Sequence, residues 1–194
     1  MLIKFGNHKL GDDTAIFNMG TAQDCPSRKL GLCRTINQGV KCYAEKAEIQ
    51  YKEHVVNARN AQAIEWKSKT GPELLEQITR KINSRRKTTR FLRYNESGDF
   101  YEQSDIDKLS FISEGIKEQG VITYGYTARS DLDFSRAKFL CKGSGFSKEN
   151  LNGTAIVIDK NESVPEGYIE CPGSCKRCNL CKIAVPHKIA FRKH

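Results

Sequence analysis

Four cysteines, Cys171, Cys175, Cys178 and Cys181, fall within eleven consecutive residues in the spacing C-x3-C-x2-C-x2-C. Structural zinc sites usually join two knuckles across an intervening loop, so that each knuckle supplies two corners of a tetrahedron. No such loop separates these thiols. A compact run with gaps of two and three suits a 4Fe-4S cube, whose four irons are reached by one short wrapping segment. Pro172 and Gly173 supply the tight turn this wrapping needs. The spacing therefore predicts a metal centre, iron-sulfur first and zinc as the alternative. A cube closed by four thiolates has no open iron, which gives it a structural or electron-holding role.

Cys25, Cys33 and Cys42 form a second group in DCPSRKLGLCRTINQGVKCYAEKAE. Three thiolates leave one corner of a cube for water, another side chain or a small molecule, so the chain is expected to hold one or two clusters. The simpler reading is a set of scattered buried thiols, a common fate of free cysteine. Cys141 stands apart as a core residue or a missing fourth ligand. His8, His54, His187 and His194 have no zinc-like spacing among themselves. No Walker loop, nucleophile elbow or dinucleotide fingerprint is present.

These groups need a frame. Apolar alternation predicts strands at Thr14–Met19, Arg90–Tyr94, Val121–Tyr126, Lys138–Lys142, Thr154–Ile158 and Gly167–Glu170. Helical spacing predicts a long helix from Cys42 to Lys67, broken by Thr70-Gly71-Pro72, then helices over Pro72–Arg85 and Ser104–Gln119, the last opened by a Ser104/Asp107 capping box. Strands alternating with helices imply right-handed βαβ units and a parallel sheet. Six strands with few late helices fall short of an eight-fold barrel. The expected fold is thus α/β, a partial or truncated (β/α) TIM-like barrel. It would be one domain over residues 1–194, with the barrel in 1–170 and a cysteine-rich basic tail, 171–194, packed on it.

Ligands in such folds sit beyond the carboxyl ends of the strands. GTAQDCPSRKLGLC, NESGDF, TARSDLDF and CPGSCKRCNLC all follow predicted strands, and all four should crowd one rim. Asn95, Glu96, Ser97, Asp99 and Arg129 are accordingly the ligand-facing candidates. Arg129 would meet a phosphate or carboxylate, or simply Asp131.

The net charge of +9, from 32 basic and 23 acidic side chains, suits a polyanionic partner. Lys81, Arg85, Arg86, Lys87, Arg90 and Arg93 lie in one basic run, KINSRRKTTRFLR. Lys176, Arg177, Lys182, Lys188, Arg192 and Lys193 surround or follow the last cysteines, with no acidic residue among them from Cys171 onward. Mainly sequence-independent contact with the backbone of DNA or RNA is the expected use. No apolar run suits a signal peptide or a membrane span, which points to a reducing cytoplasm where grouped thiols bind metals rather than form disulfides.

DCPS, GLC, CYAEK, RYNESGDF, YGYTARSDL, GSG and CPGSC..C..C, in this order, resemble the Gene product 88 family of tailed-phage proteins over most of the chain. That resemblance implies expression in the cytoplasm of a bacterial host. It also implies a distant similarity to radical SAM barrels, with Cys25, Cys33 and Cys42 as cluster ligands and Asn95, Glu96 and Ser97 near the cofactor's methionyl group. The spacing departs from the radical SAM pattern, being C-x7-C-x8-C where that pattern has C-x3-C-x2-C. The leading expectation is a phage-encoded 4Fe-4S protein that binds nucleic acid. The alternatives are a radical-SAM-like enzyme with an open cluster and a zinc-stabilised interaction module.

Overall fold

The chain is described here by a computed structural model over residues 3–7, 9–33, 39 and 42–193. His8 and His194 lie outside the described residues, as does most of the segment between Cys33 and Cys42. The strands are β1 (Lys4–Phe5), β2 (Thr14–Phe17), β3 (Phe91–Tyr94), β4 (Ile122–Thr127), β5 (Leu140–Ser144), β6 (Gly153–Ile158), β7 (Ile169–Glu170) and β8 (His187–Arg192). They form one eight-stranded sheet in the order β1-β2-β3-β4-β5-β6-β8-β7, parallel throughout except where β1 pairs antiparallel with β2.

Helices α1 (Pro26–Lys29), α2 (Tyr43–Gln50), α3 (Lys52–Ser68) and α4 (Gly71–Asn83) connect β2 to β3, and α5 (Gln103–Lys117) connects β3 to β4. Side chains alternate across a strand. Ala15, Phe17, Leu92, Tyr94 and Cys141 therefore pack as one set against Leu74, Ile78 and Ile82 of α4 and Ile106, Leu109, Ile112 and Ile116 of α5. Thr70 opens α4 with a reciprocal capping box to Glu73. On α5 the box lies two residues earlier than the sequence predicts, at Glu102 and Asp105. Asp105 is drawn there because it also accepts Trp66 Nε1 at 2.6 Å, tying α5 to α3.

The predicted long helix is two. Tyr51, at φ −129° and ψ 45°, interrupts it between α2 and α3. The inward faces of these helices carry Glu48, Arg59 and Gln62 beside Ala44 and Trp66, so apolar periodicity is a weak guide to them. Buried Glu48 and Arg59 pair at 2.6 Å.

The sheet does not close into a barrel, since β1 and β7 remain as its two edges. Helices follow only β2 and β3. Among the described residues the later connections, β4–β5, β5–β6 and β6–β7, carry none, so no outer ring forces the sheet to curl shut. The predicted basic tail is also more than a tail. Ile189 and Ala190 are fully buried in β8, which pairs along its whole length with β6.

A sheet of parallel strands normally has both faces covered, usually by helices. Here α3, α4 and α5 pack on one face, and the segment 171–186 runs over the other as a strap from the end of β7 to the start of β8, with α2 at the side of the cavity beneath it. Cys175 N donates to Lys9 O at 2.9 Å, Lys182 Nζ stands 4.3 Å from the centre of the Phe91 ring, and Asn152 Nδ2 donates to Ala184 O at 3.4 Å. Beneath the strap, strand register aligns Arg93 with Tyr124, Tyr126 with Lys142, and Val157 with Phe191.

A thiol-lined cavity on the open sheet face

The strand ends are knitted together before any ligand is considered. Asp99, buried at the end of the β3 loop, accepts four hydrogen bonds: from Ser27 Oγ (2.6 Å), Thr127 Oγ1 (2.7 Å), Ala128 N (2.8 Å) and Phe100 N (2.9 Å). Burial raises its pKa above the ordinary carboxylate value although all four donors pull the other way. The loop reaches this position through Asn95 at φ +50° and Gly98 at φ +77°. A Cβ on Gly98 would stand 2.6 Å from Gly20 N, so only glycine allows the β2 and β3 loops to approach this closely. Asn95 Oδ1 accepts Met19 N at 3.0 Å, and Ser97 N donates to Asn18 Oδ1 at 2.9 Å.

Arg129 is likewise internal. It holds Asp131 through two bonds of 2.8 and 2.7 Å and donates to the carbonyls of Phe100 and Tyr101. The guanidinium beside Asp131 lowers that carboxyl's pKa. Of the five ligand-facing candidates, Glu96 is the one that lines the cavity described next. Asn95, Ser97, Asp99 and Arg129 brace the rim.

Between the strap and the sheet lies a cavity of about 750 Å³, bounded by Arg93, Tyr124, Tyr126, Ile189 and Phe191 below and by the cysteine segment above. Cys171, Cys175, Cys178 and Cys181 all line it, and so does Cys42 from the second group. None of the eight cysteines is joined in a disulfide. Among the described residues no three Cys, His, Asp or Glu side chains form a ready coordination sphere; the structure brings the thiols to one wall without closing them around a point. Tyr126 Oη donates to Cys181 Sγ at 2.6 Å. Burial raises the pKa of Cys181, and the Tyr126 bond and the charges of Arg93 and Lys142 oppose that rise. Cys175 is raised too, by burial and then by Cys181 and Cys171.

Cys25 and Cys33 are not on this wall. Burial first, and the Asp99 charge second, push the Cys25 thiol up to about 12. Arg28, paired with Glu45 at 3.0 Å, senses the charge of both Cys42 and Cys25, so the two thiols lie near one guanidinium. Cys141 is a core residue on the helix face, with its pKa raised by burial. His54 is exposed on α3.

The basic candidates divide. Lys87 pairs with Asp12 (2.6 Å), Arg192 with Glu170 (2.9 Å) and Lys193 with Asp159 (3.2 Å). Arg85 donates to Asp12 O at 2.7 Å and lies over the Phe5 ring, and buried Lys182 donates to Cys175 O at 3.0 Å. Arg86, Lys176, Arg177 and Lys188 are exposed. The sequence reading put Arg93 in the basic run and missed the aromatic and cationic floor it forms with Tyr124 and Tyr126. Its one signal was the alternation of large side chains in FLRY and ITYGYT.

Fold and site together define an α/β protein with an open, mostly parallel sheet, one face packed by α3, α4 and α5 and the other under a thiol-bearing strap flanked by α2. The family model described as Gene product 88 matches residues 1–170. The chain belongs to this family of phage proteins, and the matched span ends immediately before Cys171. No curated protein and no solved structure matches it.

Proposed function

We propose that the chain is an iron-sulfur protein of the host bacterial cytoplasm, with Cys171, Cys175, Cys178 and Cys181 holding a 4Fe-4S centre against the open face of the sheet. One observation carries the reading: all four thiols open onto a single cavity in which Tyr126 already hydrogen-bonds Cys181 and the Arg93 and Lys142 charges favour its thiolate. The donor set fits the group. Soft thiols suit iron-sulfur or zinc, and cations beside them offset the negative charge a thiolate-ligated cluster carries. Cys25, Cys33 and Cys42 are the candidates for a second centre. We read the sheet as a partial barrel whose missing wall is replaced by the strap.

Anaerobic purification followed by iron, sulfide and zinc analysis tests this directly. A brown protein with iron and sulfide in equal amounts supports it, and a colourless protein with stoichiometric zinc overturns it in favour of a zinc-stabilised module. Cys42 on the cavity wall favours a second reading, an open cluster with radical-SAM-like chemistry. Reductive cleavage of S-adenosylmethionine is its test.

Nucleic-acid binding is proposed for the cations that stay exposed, chiefly Lys176, Arg177, Lys188 and Arg86. Four phosphate contacts would give log K a slope against log salt of about −3.6 on duplex DNA. Affinity indifferent to salt, or unchanged when Lys176 and Arg177 become alanine, removes this half of the reading.

A further inference from the structure

Arg93 and Tyr124 lie side by side on the cavity floor, in register on β3 and β4. Buried polar groups are almost always hydrogen-bonded, and each exception calls for an explanation. Here two exceptions coincide. Arg93 Nη1 and Tyr124 Oη are both buried and neither has a hydrogen-bond partner among the described residues. Tyr124 as a whole is only 3% exposed.

The guanidinium rests 4.4 Å from the Tyr126 ring centre and 5.5 Å from that of Tyr124, contacts that hold it in place and leave Nη1 without an acceptor among the described residues. The nearby carboxylate, Glu96, accepts Asn7 Nδ2 at 2.7 Å and makes no ion pair with Arg93 among the described residues. Two cations close to the floor are committed elsewhere. Lys142 donates to Asn152 O and Lys182 to Cys175 O.

We infer that Arg93 and Tyr124 form the receptor for one oxyanion, a carboxylate or phosphate, borne by a small organic molecule in this cavity. A planar guanidinium matches such a group geometrically, and a phenol hydroxyl beside it adds a further donor. The volume, about 750 Å³, is that of an ordinary small-molecule site and exceeds what a metal centre on the strap would fill. The rest of the lining is largely apolar or aromatic, including Tyr43, Val157, Ile189 and Phe191, and suits a flat ring carrying the anionic group. This inference goes beyond the metal proposal and does not depend on which metal the strap holds.

The test is isothermal titration of the full chain, as purified, with orthophosphate, benzoate and adenosine 5′-monophosphate, and with benzamide and adenosine as uncharged counterparts. One-to-one saturable binding of benzoate or of the nucleotide, tighter than orthophosphate and absent for the neutral molecules, is expected. The better of the two identifies the oxyanion. Arg93→Met should weaken it about a hundredfold and Tyr124→Phe about tenfold. Tyr124→Phe also guards against a purely structural effect, because deleting an unpartnered buried hydroxyl should leave the melting temperature unchanged or higher while binding falls. Absence of saturable binding by any charged probe at millimolar concentration overturns the inference, as does equal binding of the neutral molecules or by Arg93→Met. Metal content measured on the same samples separates the two proposals. If Arg93→Met loses its metal and no probe binds the parent, the guanidinium serves the metal centre instead.

Discussion

Replacing Asp99 by asparagine changes the polar inventory of the rim by one group. Its consequence follows from the four bonds this carboxylate accepts. Oδ1 takes Phe100 N and Thr127 Oγ1, and Oδ2 takes Ser27 Oγ and Ala128 N. The hydroxyls can rotate to accept from an amide NH₂, but a backbone N–H cannot. Whichever way the asparagine is placed, one of Phe100 N and Ala128 N faces a nitrogen and loses its acceptor. An orphaned buried donor costs about 1–3 kcal/mol, partly offset because a neutral amide is easier to bury than a carboxylate. A net loss of about 2 kcal/mol corresponds to a fall in Tm of roughly 4–8 °C for a chain of this size. The sign of the pH dependence is also fixed. Burial raises the folded-state pKa of Asp99, so the native state keeps this proton to higher pH than the unfolded chain does. The contribution of Asp99 is therefore greatest below the unfolded pKa, about 3.9, and declines as pH rises toward the folded value. Urea unfolding of parent and Asp99→Asn across that window should show the parent's advantage shrinking as pH increases. An advantage that grows with pH, or a variant as stable as the parent throughout, would refute the reasoning.

Glu48 and Arg59 form a buried pair with side chains 7% and 8% exposed, so Arg59→Met alone should cost about 3–5 kcal/mol. The double replacement with Glu48→Gln should cost less than the two single effects added, as read by chemical denaturation. Tyr126→Phe deletes the donor to Cys181 without opening space, and metal affinity measured by chelator competition should fall about 10- to 100-fold with the fold intact. Arg129 depresses the pKa of Asp131, so this carboxylate's contribution is present above the unfolded pKa and lost as pH falls through the folded value. Asp131→Asn should therefore lower Tm at pH 7, with the difference from the parent shrinking as pH falls through the acid range below the ordinary carboxylate value, as followed by circular dichroism.

TAIF, buried at every position, was legible because burial on both faces leaves no other reading for so short an apolar run, and FLRY and TAIVI were legible from their aromatic and β-branched residues. So was α4, whose Leu74, Ile78 and Ile82 keep a regular spacing behind a true capping box. The division of α2 from α3 was not legible, since Glu48, Arg59 and Gln62 point inward and make the buried stripe look like surface. β8 was masked by its charge. Lys188 and Arg192 alternate with the buried Ile189 and Ala190, and a count of cations sees a tail where the sheet has an inner strand. The site was legible by residue type and illegible by place. The cysteines announce themselves, but sequence assigns them to the rim beyond the strand ends. Long-range pairing of β7 and β8 on the same side of the sheet instead sends the cysteine segment back across its open face.

That placement bears on what the thiols can do. A cysteine acts as a nucleophile or redox centre through its thiolate, in an electropositive and accessible setting that lowers its pKa. Cys25, Cys175 and Cys181 are shifted the other way, with burial as the first cause in each. At neutral pH they are protonated thiols and poor nucleophiles. A metal changes the balance because binding displaces the proton, and the same burial then strengthens every interaction with the charge that remains. Tyr126, Arg93 and Lys142 all act on Cys181 in the direction that favours the deprotonated sulfur, although none overcomes burial without a metal. Thiols so placed are poorly suited to nucleophilic chemistry, and their burial under the strap is what the proposed ligation would use.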